Sequence, residues 1–222
     1  MTNPAVQLGA QLASTKRLSP NSAWLSSFLD SQRPTTPFQS LVQTASFRLL
    51  ASDITKSFVQ DACFPADISN QQIQERKLAG SIPVQVLGVE DISKSRWEQI
   101  EAIEAIERGE GTKGREIIRV TEENDGTKEG DGPARGGVHK LLLQDARGNR
   151  VYAVELRPVE GLGLRMSIGC KLLLQDVTAA RGTILMEPKC VTVLGGKIGA
   201  WHKSWKDNRK AALKRGIEGQ SQ

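Results

Sequence analysis

The hexapeptide KLLLQD occurs twice in the 222-residue chain, starting at Lys140 and at Lys171, and it limits the possible folds more than any other feature. Each copy is a short apolar run that ends in polar turn residues. A second apolar run follows each turn, VYAVEL after the first copy and TILMEP after the second. Such runs predict a strand followed by a returning strand. The repeat does not continue along the chain, which argues against a solenoid.

Further strands are predicted on both sides of the two copies. SIPVQVLGVEDI, from Ser81, alternates in the way a strand does, and CVTVLGG closes the series. Five or so short strands within about 115 residues, with one long interruption, predict a small closed barrel. In each triple leucine one side chain has to point away from the barrel interior. These outward leucines need cover, either from the rest of the chain or from another protein.

Residues 1–80 predict a small helical bundle. The stretches LSPNSAWLSSFLDSQ and PFQSLVQTASFRLL have apolar residues at helical spacing. Ser19 is the predicted N-cap of the first stretch, with Pro20 at the first helical position, and Thr36 and Pro37 are predicted to do the same for the second.

A long insertion, residues 93–137, separates the first predicted strand from the second. Its first part has helical apolar spacing, and its second part has the Gly, Glu, Asp and Lys composition of a loop. Insertions of this length in a barrel are uncommon unless they are functional or disordered. The apolar side chains either anchor a partner protein or pack back on the barrel. The candidate anchors are Trp97, Ile100, Ile103, Ile117, Ile118 and Val120.

The tail, residues 201–222, predicts a basic helix in a chain of net charge +5. One interpretation is a helix that closes the barrel and presents a solvated basic face. The other is a contact with a phosphate backbone. The candidate nucleic-acid-binding residues are Lys203, Lys206, Arg209 and Lys210.

The sequence contains no recognisable motif for catalysis, metal binding or cofactor binding. His139 and His202 lack a Cys or carboxylate partner at metal-ligand spacing, and the cysteines form no CxxC pair. GEGTKG matches a phosphate-loop pattern but follows a helix instead of a strand. These observations predict a protein that is not an enzyme. No apolar run approaches the ~18 residues of a membrane span.

Single-strand binding by the barrel is the obvious alternative function for a fold of this size. It depends on aromatic side chains for base stacking together with a basic groove. Between Val138 and Gly196 the only aromatic residue is Tyr152. Strong, independent binding of single strands is therefore not expected, although a weak electrostatic contact through the tail remains open.

Several segments together resemble the N-terminal region of the RecQ-mediated genome instability protein 1 family. They are LSPNSAWLSSFL, SFRLLASDIT, DISKSRWEQI, KLLLQD and ARGTILMEPKCVTVLGG. The resemblance extends from Ala5 to Lys197 and implies an α+β fold. The arrangement it implies is a small helical bundle (1–80) followed by an oligonucleotide/oligosaccharide-binding (OB) five-stranded barrel (81–200). The insertion (93–137) lies between its first two strands, and a basic tail (201–222) follows.

The resemblance also implies a function, that of a non-catalytic nuclear subunit. Such a subunit binds a type IA topoisomerase (topoisomerase III) that works with a RecQ-type helicase, and it promotes decatenation and dissolution of double Holliday junctions. The insertion is expected to reach the topoisomerase gate. Lys171, at a strand entry, is expected to face the topoisomerase, and Lys140 is a second candidate contact. The alternative is a stand-alone OB-fold protein that binds single-stranded nucleic acid.

Overall fold

The N-terminal region is helical in the computed structural model, which describes residues 4–33, 35–113, 116–119 and 137–218. The helices are α1 (Pro4–Lys16), α2 (Ser22–Asp30), α3 (Phe38–Leu50) and the short α4 (Ile54–Ser57). Each of them buries apolar residues in one shared core, so the predicted bundle is present. It is shorter than the predicted helical range, because the described residues 58–75 form only turns, bends and one isolated bridge.

The predicted helix caps were wrong by one or two positions. Helix α2 is capped by Asn21, whose side-chain oxygen accepts the Trp24 N–H at 2.8 Å. Pro20 instead lies in an extended segment and forms an isolated bridge with Phe58. In α3 the cap position is Pro37, one residue after the predicted Thr36, and no side chain caps it. Asn caps helices as well as Ser does, so the sequence alone could not decide between neighbouring candidates.

The remaining strands and helices follow in chain order. They are β1 (Arg76–Asp91), α5 (Arg96–Glu107), β2 (Glu110–Lys113), β3 (Glu116–Arg119), β4 (His139–Asp145), β5 (Arg150–Glu155), β6 (Lys171–Ala180), β7 (Thr183–Met186), β8 (Val191–Gly195) and α6 (Gly199–Glu218). Strands β1, β4, β5, β7 and β6 are neighbours in this order, and a β1–β6 pairing closes the barrel. Strand β8 extends the sheet beside β6. The predicted five-stranded barrel is therefore confirmed, with one extra strand.

The two KLLLQD copies lie on opposite sides of strand β1. The first copy pairs with β1 through Val86 and Leu143, and the second pairs with it through Val84 and Leu172. They are therefore two strands of one sheet. The first and third leucines of each copy point into the barrel core.

The insertion lies between β1 and β4, the first two strands of the barrel, as predicted. Its first part is helix α5, and α5 packs against α6 through several ion pairs. Part of the segment predicted to be a loop instead forms a two-stranded antiparallel hairpin of β2 and β3. The glycines of this segment masked its short strand signal.

The helical region and the barrel meet in a polar, buried junction. Gln85 of β1 accepts the Ile54 N–H at 3.0 Å, and its amide group donates to Asp53 and Gln144 at 2.9 and 3.0 Å. These bonds satisfy an amide that is fully buried, which would otherwise be costly.

Glycine at position 196 permits the close approach of the two regions. A Cβ atom added there would lie 2.3 Å from the Leu50 carbonyl oxygen, and its φ of +97° also favours glycine. This requirement accounts for the second glycine of the VLGG segment.

Candidate partner-binding surface

The root of the insertion is held by a network of hydrogen bonds. Asp91, the last residue of β1, pairs with His139, the first residue of β4. The buried Glu155 carboxylate accepts the His139 backbone N–H at 3.0 Å and lies 2.6 Å from the His139 Nδ1 atom. Gly137 passes so close that an added Cβ would lie 2.7 Å from an Asp91 oxygen. Both ends of the insertion therefore leave the barrel from fixed positions.

Helix α5 is oriented by its own cap and by one buried glutamine. Ser95 and Glu98 form a reciprocal capping box at its start. The Gln99 amide group donates to the Asp91 carbonyl at 2.7 Å, which ties the first turn of the helix to the end of β1. The insertion therefore begins with a helix whose first turn is fixed by hydrogen bonds.

The three apolar residues predicted as anchors on α5 have different environments. Trp97 is 67% exposed, Ile103 is half-buried and Ile100 is only 2% exposed. Ile100 was therefore wrongly predicted as an anchor, because its side chain already packs inside the molecule. Ile106, which belongs to the predicted apolar face of this helix but was not among the predicted anchors, is 73% exposed. Trp97 and Ile106 are the exposed large apolar side chains of this helix.

The second predicted apolar cluster lies farther along the insertion. Ile117 and Ile118 belong to β3, where their backbones pair with Thr112 and Gly111 of β2. Val120 lies outside the described residues. The role of these three residues as partner contacts stays a prediction.

Lys171 does not lie on the surface. Its side chain is fully buried, and its ammonium group donates to the carbonyl oxygens of Gly169 at 2.7 Å and Leu50 at 3.2 Å. Burial lowers the pKa of Lys171 to about 8, and the negative charge of Asp53 acts in the opposite direction. The prediction that Lys171 faces the topoisomerase therefore disagrees with its position. It joins the helical region to the barrel.

Lys140, the equivalent residue of the first copy, lies at the surface. Its Nζ atom pairs with Glu90 at 3.1 Å and sits 5.0 Å from the centre of the Tyr152 ring. It remains a candidate contact.

The two outward leucines are covered by the chain to different extents. Leu173 is 5% exposed, beside residues of the helical region such as Ala13 and Arg17. Leu142 is half-buried in the wall of a cleft beneath α6. Of the two sources of cover left open by the sequence, the chain itself therefore provides it for Leu173, whereas Leu142 is covered only in part.

The cleft beneath α6 has a volume of about 290 Å³ and lies against the outer face of β1, β4 and β5. Its walls are mainly apolar, and the ring of Tyr152 is half exposed. Trp205 from α6 contributes a second aromatic residue, with the Arg209 guanidinium 5.4 Å from its ring centre. The sequence did not reveal this pair, because Trp205 lies outside the barrel strands.

The four predicted nucleic-acid-binding residues of α6 fall into two groups. Lys203 and Lys206 are exposed. Arg209 is half-buried, where desolvation lowers its pKa, and it donates to Gln99 at 3.4 Å. Lys210 pairs with Glu104 at 3.1 Å and with Glu107 at 2.7 Å. The structure therefore leaves two of the four free to meet a partner without rearrangement.

Within the described residues, no group of three or more His, Cys, Asp or Glu side chains is placed to hold a metal ion. None of the described helices is long and apolar enough to span a membrane. The cysteines of the described chain are free thiols, two of them buried.

The barrel order, the inserted segment between its first two strands and the preceding helices define the class of protein. It is an OB-fold module with an N-terminal helical region, and its distinguishing surface is the insertion.

Comparison with known proteins identifies the family. Residues 64–209 match the family model described as "RMI1, N-terminal OB-fold domain", and residues 12–57 match "RMI1, N-terminal helical domain". The chain belongs to this family. It is 29% identical over 198 residues to RecQ-mediated genome instability protein 1 of Schizosaccharomyces pombe, which covers 82% of this chain and 83% of the relative. It is 30% identical over 138 residues to the Xenopus laevis protein of that name, 61% of this chain but 23% of the relative.

Proposed function

We propose that this protein is a non-catalytic nuclear subunit that protects genome stability by binding topoisomerase III, a type IA topoisomerase, in a complex with a RecQ-type helicase. In that complex it promotes decatenation and the dissolution of double Holliday junctions. Family membership supports the genome-stability role, since both relatives are named RecQ-mediated genome instability protein 1. The topoisomerase contact is argued from the surface of the insertion.

The main evidence for the contact is that Trp97 is exposed on a helix whose first turn is held to the end of β1. A tryptophan that is 67% exposed has apolar surface that a partner can bury, and tryptophan is enriched among residues that dominate binding energy. Because Gln99 ties α5 to the barrel, the ring is presented in a defined position, which reduces the entropy lost on binding. Ile106 adds a second exposed apolar side chain to the same helix.

The test compares Trp97→Ala with Phe47→Ala in binding to topoisomerase III of the same organism. Phe47 is the matched control, because it is a 75% exposed aromatic residue on α3, away from the insertion. Trp97→Ala is expected to weaken the Kd by roughly 30-fold or more, the effect of a residue that dominates an interface. Phe47→Ala is expected to bind like the wild type. Equal binding by both variants would refute the assigned surface, and absence of binding by the wild type would refute the function.

The hairpin end of the insertion is assigned to the regulation of the topoisomerase. Deletion of residues 109–136 is expected to preserve the fold and most of the binding, because the barrel root and α5 remain. It is expected to impair stimulation of decatenation, measured with catenated DNA circles. Normal stimulation by the deletion variant would show that this part of the insertion has another role.

The second candidate is a stand-alone OB-fold protein that binds single-stranded nucleic acid. The cleft favours it, because Tyr152 and Trp205 bring two aromatic rings close to Lys140 and Arg209. The two functions are separated by measuring the affinity of the chain for an oligonucleotide and for topoisomerase III under the same conditions. Tight, salt-resistant binding of the oligonucleotide without topoisomerase binding would favour this second candidate.

A further inference from the structure

Helix α6 carries a row of lysines along one side. Lys206, Lys210 and Lys214 follow each other at intervals of four residues, which places them on one face, and Lys203 precedes them by about one turn. Lys203 and Lys206 are exposed, and neither has a carboxylate partner within the described part of the chain. The first half of the row is therefore open to an anion.

The second half of the row is occupied by glutamates of α5. Lys210 lies 2.7 Å from Glu107 and 3.1 Å from Glu104, and Lys214 lies 3.3 Å from Glu104. Hydrogen bonds with Glu107 and Glu104 raise the pKa of Lys210, and the lysines in turn lower the pKa of Glu104. These ion pairs connect the tail helix to the first helix of the insertion.

Lys197 adds a further positive charge near the open half of the row. Burial is the main cause that lowers the pKa of the neighbouring His202, and the charges of Lys197 and Lys206 lower it further. The four lysines of the row follow each other at intervals of three or four residues along the helix. This pattern suits a regular chain of phosphates, which is bound through charge without reference to sequence.

We propose that the ion pairs between α5 and α6 form a latch that a phosphate backbone opens. A single-stranded nucleic acid first meets Lys203 and Lys206. It then competes with Glu104 and Glu107 for Lys210 and Lys214. Because the same glutamates hold α5 against α6, nucleic acid binding loosens the helix at the base of the insertion.

The latch extends the proposed function. It rests on that function only for the assignment of α5 as the helix that binds the topoisomerase. It makes the position of the topoisomerase-binding helix depend on nucleic acid. The latch itself involves only α5 and α6, so it is tested with the full chain and a thymidine oligonucleotide, without a topoisomerase. Failure of the latch and failure of the topoisomerase contact are therefore distinguishable.

The first test is the double variant Glu104→Gln/Glu107→Gln, which removes both competing charges and keeps the side-chain size. It is expected to bind the oligonucleotide roughly fivefold more tightly than the control, a modest gain because exposed ion pairs are weak. The slope of log K against log salt should match that of the control, because the oligonucleotide contacts Lys210 and Lys214 in both proteins. The control, Glu75→Gln/Glu101→Gln, changes net charge equally at exposed glutamates that pair with no lysine of α6.

The second test is hydrogen exchange of the wild-type chain with and without saturating oligonucleotide. The amides of α5 should exchange faster when the oligonucleotide is bound, and Lys203→Gln/Lys206→Gln should lose most of the binding. The proposal is overturned if the Glu104→Gln/Glu107→Gln variant binds no more tightly than its control, or if α5 exchange is unchanged at saturation. It is also overturned, in favour of an acidic protein partner, if polyglutamate of equal charge competes as well as the oligonucleotide.

Discussion

The buried ammonium group of Lys171 makes the stability of the protein depend on pH in an unusual direction. Its pKa is about 8 in the folded chain against an ordinary value of 10.5. Below pH 8 the lysine is charged in both the folded and the unfolded states. Above pH 8 the folded protein releases this proton, while the unfolded chain holds it until about 10.5. The unfolded state then binds more protons, so the free energy of unfolding rises with pH in this window.

The size of the rise follows from the difference between the two pKa values. Between pH 7 and pH 9.5 it amounts to about 2 kcal/mol, since each pH unit between the two values contributes about 1.4 kcal/mol. The variant Lys171→Met cannot release a proton and is expected to lack this increment. Other groups that titrate in this range are common to both proteins, so they cancel in the difference between wild type and variant.

Urea unfolding at a series of pH values from 7 to 9.5 measures the effect. The curve of unfolding free energy for the wild type should climb relative to that for Lys171→Met. The control Lys140→Met removes the equivalent lysine of the first KLLLQD copy, which lies at the surface, and the climb should persist in it. If the wild-type and Lys171→Met curves run parallel, the lysine is not held in the environment described above.

Three further changes test the packing. Gly196→Ala should lower the free energy of unfolding by about 2–4 kcal/mol, because the new Cβ collides with the Leu50 carbonyl at a positive φ. The control Gly80→Ala also has a positive φ but faces open space, so it should cost about 1–2 kcal/mol in the same thermal unfolding assay. Ile100→Ala should cost about 2–5 kcal/mol in urea unfolding, and a cost near zero would place Ile100 back at the surface. Asn21→Ala should cost about 1 kcal/mol by loss of the α2 cap, and rescue by Asn21→Ser or Asn21→Asp separates capping from packing.

The barrel strands, the main helices and the position of the insertion were predictable from local patterns. Alternating apolar residues, turn chemistry and helical spacing act over a few residues, so the sequence displays them directly. The closed barrel also followed, because five short strands with one long interruption suit few other architectures. The order of its strands was not predicted from the residues.

The errors at the candidate site concern contacts between residues distant in sequence. Lys171 reads as a surface lysine until the carbonyl of Leu50, 121 residues away, is brought beside it. Ile100 was predicted as an anchor because glutamates surround the apolar residues of α5 in the sequence. Only the folded chain shows which face of α5 packs against the interior. Lys210 reads as free because its partners lie on the insertion, more than 100 residues earlier.

The polar junction between the helical region and the barrel has a consequence for how the chain can be divided. The sequence appears modular, since separate family models match residues 12–57 and 64–209. Cutting between them would strip the Lys171 ammonium of its Leu50 carbonyl and the Gln85 amide of its partners on α4. A barrel expressed alone would expose Lys171 and Gln85 to water. The space that Leu50 occupies beside Gly196 would also be empty. The two halves are therefore expected to melt in a single cooperative transition, and truncation at the apparent boundary should yield a poorly behaved fragment instead of an independent domain.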